Sequence, residues 1–310
     1  MLMMETTSDF ARNHLVIDDS NYERFLGPTT IVGDRKFKKG LIPRDFTAAP
    51  QGYYKSAPPY DPKVMPLIPR DEWPERIAEK EATKSRISDI RLKAGPNGGH
   101  IPSLDQDGQG YCWFYSGTGV VTALRFLANM PYVRLSAHSG AWVIKNGRDQ
   151  GGWGCQGLDF IQERGVMPTS LWPEKYMGSQ YNTSENWEIA KQFRVTESWM
   201  DLNPRQYDRN LSLDQAMSCL LRNIPCILDY NWWGHSVHGY DAIDLDKRMS
   251  LENNNRWGIG ILNSWTDSWG TLGYGILRGN KCIPDGGAAP RVASGSDYVF
   301  DSGPRVDIAV

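Results

Sequence analysis

The strand-like segments of this chain crowd together, four of them falling between residues 226 and 278 after a long region with a different rhythm. Runs at 226–232, 236–245, 257–263 and 274–278 are rich in β-branched and aromatic residues and are separated by turn-forming Asn, Asp and Gly, which predicts strands. Ahead of them the apolar residues Trp113, Val120, Val121, Leu124, Phe126 and Leu127 recur at threes and fours. That spacing predicts a core helix starting near Cys112. Shorter helices are expected over 158–164 and 211–221, the latter stopped by Pro225. Between residues 73 and 93 the charges Glu75, Arg76, Glu79, Lys80 and Glu81 alternate in sign at helical spacing, the pattern of a solvated helix face. A helical half followed by a β-rich half is an α+β architecture.

Composition narrows the function classes. The net charge is −2 with acids and bases nearly balanced, so no basic footprint points to nucleic acid or to an anionic membrane. Met1-Leu-Met-Met is followed at once by Glu5 and polar residues, leaving no apolar core of signal-peptide length, and no stretch is long enough to span a bilayer. Five cysteines at positions 112, 155, 219, 226 and 282 match neither an even disulfide framework nor paired zinc ligands. No metal or cofactor is expected. A reducing compartment follows, cytoplasmic or inside a virus particle, and the sequons at Asn182 and Asn210 then read as chance matches. Residues 1–60 carry scattered charges and prolines without an apolar period. They read as an extension laid on a surface, which could block a cleft, tether the domain or dock on a neighbouring subunit of an assembly.

Cys112 sits where the predicted core helix begins, so the positive end of the helix dipole would favour its thiolate. Four segments around it resemble the papain-like cysteine peptidase family. Gln106 stands six positions before Cys112, and Gly110 and Trp113 complete a Gly-x-Cys-Trp run. Gly154-Cys-Gln-Gly157 is similar to that family's cleft wall, and Gly234-His235-Ser-Val to its histidine segment. Asn263-Ser-Trp265-x-x-x-Trp269-Gly-x-x-Gly273-Tyr274 keeps the fixed elements of its asparagine motif. The matches cover roughly residues 61–280 in the order Gln, Cys, His, Asn.

The resemblance implies a papain-like two-lobed fold, with a helical lobe over about 105–205 and a β-barrel-like lobe over about 206–310 plus 61–104. It implies hydrolysis of peptide bonds in a peptide or protein substrate through a Cys112 thioester. His235 would exchange the proton with Cys112, Asn263 would orient the imidazole, and Gln106 would donate to the oxyanion. Trp265 would cover the His–Asn contact, and Gly157, Leu158 and Trp269 would line the substrate cleft. His238, three residues past His235, competes for the proton shuttle, and the Gly-His-Ser-Val context favours His235.

Several positions depart from the family pattern. Gln109 stands where many secreted members carry a cysteine, so Cys155 lacks the usual disulfide partner. Leu158 replaces a glycine, which would narrow the cleft face. A polar insertion at 246–256 could overhang the cleft as a lid. Residues 1–60 lack the usual propeptide pattern, although Tyr22-Glu-Arg-Phe25 superficially resembles it. Two further readings compete with the peptidase: a silent structural component of an assembly such as a virus particle, and a Cys-His acyltransferase or transglutaminase, which normally uses an aspartate orienter.

Overall fold

The computed structural model describes residues 12–45, 60–196, 200–202 and 209–296, so the first eleven residues, residues 46–59 of the N-terminal extension and the last fourteen residues are among those outside it. Seven helices are present among the described residues: α1 (Trp73–Thr83), α2 (Ile87–Arg91), α3 (Cys112–Leu127), α4 (Ala137–Ile144), α5 (Gly154–Arg164), α6 (Ser184–Ala190) and α7 (Arg209–Leu220). Nine strands accompany them: β1 (Leu15–Ile17), β2 (Thr29–Val32), β3 (Arg35–Lys38), β4 (Met200–Leu202), β5 (Cys226–Tyr230), β6 (His235–Asp244), β7 (Trp257–Leu262), β8 (Tyr274–Arg278) and β9 (Gly286–Ala289). Seven strands form one sheet in the order β1-β8-β7-β6-β5-β9-β4, while β2 and β3 make a separate hairpin. The architecture is α+β, as the sequence predicts.

Alternation along the strands divides the core. On one face of the sheet Leu228, Tyr230, Ile259 and Ile261 pack with Trp73 and Ile77 of α1 and with Leu213, Met217 and Leu220 of α7. On the other, Ile227 and Ala288 meet Val120, Val121 and Leu124 of α3 and Leu158 and Ile161 of α5. Helix α3 is therefore enclosed nearly all round, with every residue from Cys112 to Val121 buried. This is why its sequence is apolar on more than one stripe.

Three local expectations differ from what is observed. The helical stretch after Trp73 divides into α1 and α2, because Lys84 turns left-handed (φ 54°) and ends α1. The 246–256 insertion joins the ends of β6 and β7 remote from His235 and Asn263, held there by Arg256 on Asp244 (2.7 Å) and by Arg70 on Asn254 (3.1 Å). It is no lid over that site, since β6 alone spans about 30 Å at strand rise. Strand β1, read as part of an extension, pairs parallel with β8 from Leu15↔Gly275 to Ile17↔Leu277 and so completes the main sheet. No helix among the described residues is long and apolar enough to cross a membrane.

Candidate active site

Cys112 is the first residue of α3 and its sulfur is fully buried. Tyr111 and Trp113 fix the helix start by donating to the carbonyls of Arg148 (2.9 Å) and Gln150 (3.2 Å). The Gly40 backbone amide donates to the thiol at 3.3 Å, and the backbone of Ser236, the residue after His235, acts on its pKa. His235 opens β6, and Asn263 follows the end of β7. Because β6 and β7 are antiparallel neighbours, these two positions lie at the same end of the sheet. The ring Nε2 of His235 and Oδ1 of Asn263 are 2.8 Å apart, and Nδ1 of His235 is buried without a partner. Trp265 stacks on the imidazole (4.6 Å between centroids, 28° between planes) and is itself fully buried.

Gln106 is tied to the same segment. Its backbone N–H donates to Ser264 O (3.0 Å), its Oε1 accepts from Ser264 Oγ, and its Nε2 donates to Lys38 O (2.6 Å) and Gln109 O (3.0 Å). Ser264 N–H in turn donates to Asn263 Oδ1 at 2.8 Å. One short stretch, residues 263–265, thus supplies the imidazole's partner, its covering indole and the support for the Gln106 amide.

His238 is not part of this group. It sits opposite Ile227 and Leu262 within the sheet, and its ring lies against Gly119 of α3, with both nitrogens lacking hydrogen-bond partners. Gly157 and Leu158 are also elsewhere. They occupy the second turn of α5, Gly157 against the Trp113 carbonyl and Leu158 fully buried in the α3–α5 core. Trp269 is buried beneath Trp265 and Trp233 rather than presented to a ligand.

The residues that do line the cleft are revealed by what fills it. After hairpin β2–β3 the chain runs extended across Cys112. Gly152 N–H donates to Gly40 O (2.9 Å), Ile42 N–H to Gly152 O (3.0 Å), and Leu41 N–H to Gly234 O (3.2 Å). Leu41 thereby forms a parallel bridge with Gly152. Phe37 stacks on Trp265 (5.9 Å, 25°), Lys38 pairs with Asp149 and Arg35 with Asp105 and Asp107. The Lys39 ammonium turns inward onto the carbonyls of Phe25 and Gly27, and burial lowers its pKa to about 8. Gly152 was missed from sequence because the motif match was set a few residues too far along; the Gly151-Gly152 doublet before α5 was the available signal.

Electrostatically the covered pair is neutral. Burial is the largest cause pushing Cys112 up to about 12, only partly offset by the backbone of Ser236, Gly40 and Trp113, and it pulls His235 down to about 3 despite Asn263. None of the five cysteines forms a disulfide, and no metal-binding group of His, Cys, Asp and Glu occurs among the described residues.

No protein-family model matches the chain, and no curated protein resembles it in sequence. Solved structures do resemble it in fold. Digestive procathepsin L 3 from the larval midgut of Tenebrio molitor superposes with a TM-score of 0.52 at 18% identity, covering 79% of this chain and 77% of that one. Xylellain, a cysteine protease from Xylella fastidiosa, gives 0.50 at 17% identity over 82% and 96%. Procathepsin B S9 from Trypanosoma congolense gives 0.51 at 15% over 81% and 85%.

Proposed function

Given a papain-like fold, we propose that the chain is a cysteine peptidase acting through a Cys112 thioester, held closed by residues 38–42. The observation that carries this reading is the 2.8 Å contact between His235 Nε2 and Asn263 Oδ1, which leaves the buried Nδ1 without a partner. In that tautomer Asn263 accepts the Nε2–H, and Nδ1 is the basic atom that takes the thiol proton. Thiolate sulfur then adds to the scissile carbonyl. The oxygen gains charge beside the Gln106 amide and the first free N–H of α3, and the imidazolium returns its proton to the leaving amine. Water hydrolyses the resulting thioester and regenerates the thiol.

On this reading the strap is arranged to resist cleavage. It presents an N–H of Gly40, not a carbonyl carbon, to the sulfur, and Lys38 O takes up the Gln106 donor. With solvent excluded, the neutral thiol and imidazole are favoured over the ion pair. Lifting the strap returns water, so the thiolate becomes accessible in charge as well as in space. The test is labelling of Cys112 by an irreversible epoxide, together with hydrolysis of a varied peptide library, on the intact chain and on a strap-weakened variant. Failure of both in the weakened variant sinks the reading.

Full burial of Cys112 supports a second reading, a permanently closed domain serving as a structural part of an assembly such as a virus particle. On that reading Cys112→Ala leaves every property of the assembly unchanged. A transglutaminase-type reading is less well supported, because the group on His235 Nε2 is an amide and not a carboxylate.

A further inference from the structure

Two residues beyond the Gly152 pairing, the strap inserts Arg44 into the protein. Its backbone is held on both sides by one side chain: Arg44 N–H donates to Asn231 Oδ1 (2.8 Å), and Asn231 Nδ2 donates to Arg44 O (2.9 Å). The guanidinium is 3% exposed, and Nη1 donates to Asp285 O at 3.1 Å. An arginine is seldom buried unless carboxylates meet it. Asp201 on β4 and Asp229 on β5 lie near enough for the charge of Arg44 to act on both, while the carboxylate of Asp285, just before β9, accepts from Asn231 N–H (2.7 Å); all three are nearly inaccessible. Asp201 and Asp229 project from the same face of the sheet, since Asp201 and Ile227 both stand opposite Ala288 and Asp229 is two residues from Ile227. That is the face on which Cys112 and α5 lie.

The residues around the two carboxyls are small. β9 between them reads Gly-Gly-Ala-Ala, and Gly154 sits over Asp229 so closely that a Cβ there would fall 3.1 Å from Oδ1 and 2.4 Å from Ile227. Oδ1 of Asp201 and Oδ1 of Asp229 are buried without a hydrogen-bond donor. Asp229 Oδ2 accepts a long bond from Gly154 N–H (3.4 Å).

We infer that Asp201, Asp229 and Asp285 form the specificity pocket of the cleft for a basic side chain, an arginine in first place, and that Arg44 occupies it in the closed chain. The inference rests on the peptidase reading for its substrate, but its chemistry is independent of turnover. Burial and mutual repulsion raise both Asp201 and Asp229 to about 7, while the positive charge of Arg44 acts in the opposite direction on each. A guanidinium relieves that cost where a neutral side chain of equal shape cannot. Asn231, which bonds both backbone groups of Arg44, would hold the backbone of an extended substrate in the same way.

The test uses the full chain carrying Arg44→Ala, with Arg44→Gln as a second variant that keeps more of the side-chain volume. N-acetyl-arginine amide is titrated by calorimetry against its citrulline analogue, which matches the shape but lacks the charge. Arginine amide is expected to bind about tenfold or more tightly than citrulline amide. Adding Asp229→Asn should erase the difference. In parallel, peptides differing only in arginine or citrulline at one position are offered to a strap-weakened chain, and kcat/KM should favour arginine by a similar factor. Equal binding of the two amides, or equal kcat/KM for the two peptides, overturns the inference. Preferential arginine binding with no peptide cleaved and no epoxide on Cys112 upholds the pocket and overturns the peptidase reading instead.

Discussion

Gly40→Ala tests the strap at its tightest point. A Cβ on residue 40 would lie 1.8 Å from the carbonyl oxygen of Gly110, against a backbone that cannot rotate away as a side chain would. Contacts of that kind below about 3 Å do not persist in a packed interior, so the strap must withdraw by about 1 Å or more. Withdrawal breaks the Gly152 N–H to Gly40 O bond (2.9 Å) and strains the Ile42 N–H to Gly152 O bond (3.0 Å) and the Gly40 contact with the sulfur. At about 1 kcal/mol net for each intramolecular bond, closure loses about 2–3 kcal/mol, equivalent to a rise of about 30- to 150-fold in the open population. Alkylation of Cys112 in its opening-limited regime should rise by the same factor, read by intact mass and peptide mapping. The other four cysteines, all buried and free, serve as internal controls. Cys112 reacting at the parent rate would refute the reasoning. So would all five cysteines reacting together, since that signifies unfolding rather than a lifted strap.

Further outcomes follow from the same geometry. Gln106→Ala in a strap-weakened chain should lower kcat by about 10²–10³ with intact folding, because one oxyanion donor is lost; an unchanged kcat would remove Gln106 from the site. His235→Ala should lower turnover by about 10²–10⁴, whereas His238→Gln should leave turnover within an order of magnitude of the parent while shifting the urea midpoint. Equal losses in the two would reopen the choice between the histidines. Cys112 also links closure to pH. Its covered pKa of about 12 exceeds the ordinary thiol value of about 8.5, so the closed form holds a proton that the open form releases in between. The stabilisation of closure by that proton is complete below about pH 8.5 and is lost as pH rises toward 12. Proteolytic susceptibility of the strap should therefore climb with pH above about 8.5 in the parent and climb less in Cys112→Ala.

The grouping of Cys112, His235, Asn263 and Gln106 was legible in the sequence because the chemistry proposed for it admits few substitutes. An imidazole needs an acceptor, a sulfur needs a helix start, and an oxyanion needs a donor, so Cys112, His235, Asn263 and Gln106 stood out by type and order. Strands β5 to β8 were legible from their apolar alternation. What was not legible depends on contacts remote in the chain. Phe37 and Lys39 belong to a segment without apolar period, and their meaning lies in Trp265 and in the carbonyls of Phe25 and Gly27. Strand β9 escaped notice because Gly286-Gly-Ala-Ala289 has none of the bulky residues that mark strands. Asp229 carries a charge inside an otherwise apolar strand, and only the arrival of Arg44 gives that charge a purpose.

The parallel pairing of β1 with β8 has a consequence for how the cleft can be uncovered. β8 would be an outermost strand without it, with the backbone groups of Gly275, Ile276 and Leu277 unpaired along one side. Such a border invites pairing with a second chain and growth into aggregates. Uncovering Cys112 by stripping away everything before residue 45 would trade an inhibited molecule for a sticky one. Swinging residues 18–45 aside while Leu15–Ile17 stay seated avoids that exchange, and it makes the turn after Ile17 the natural pivot.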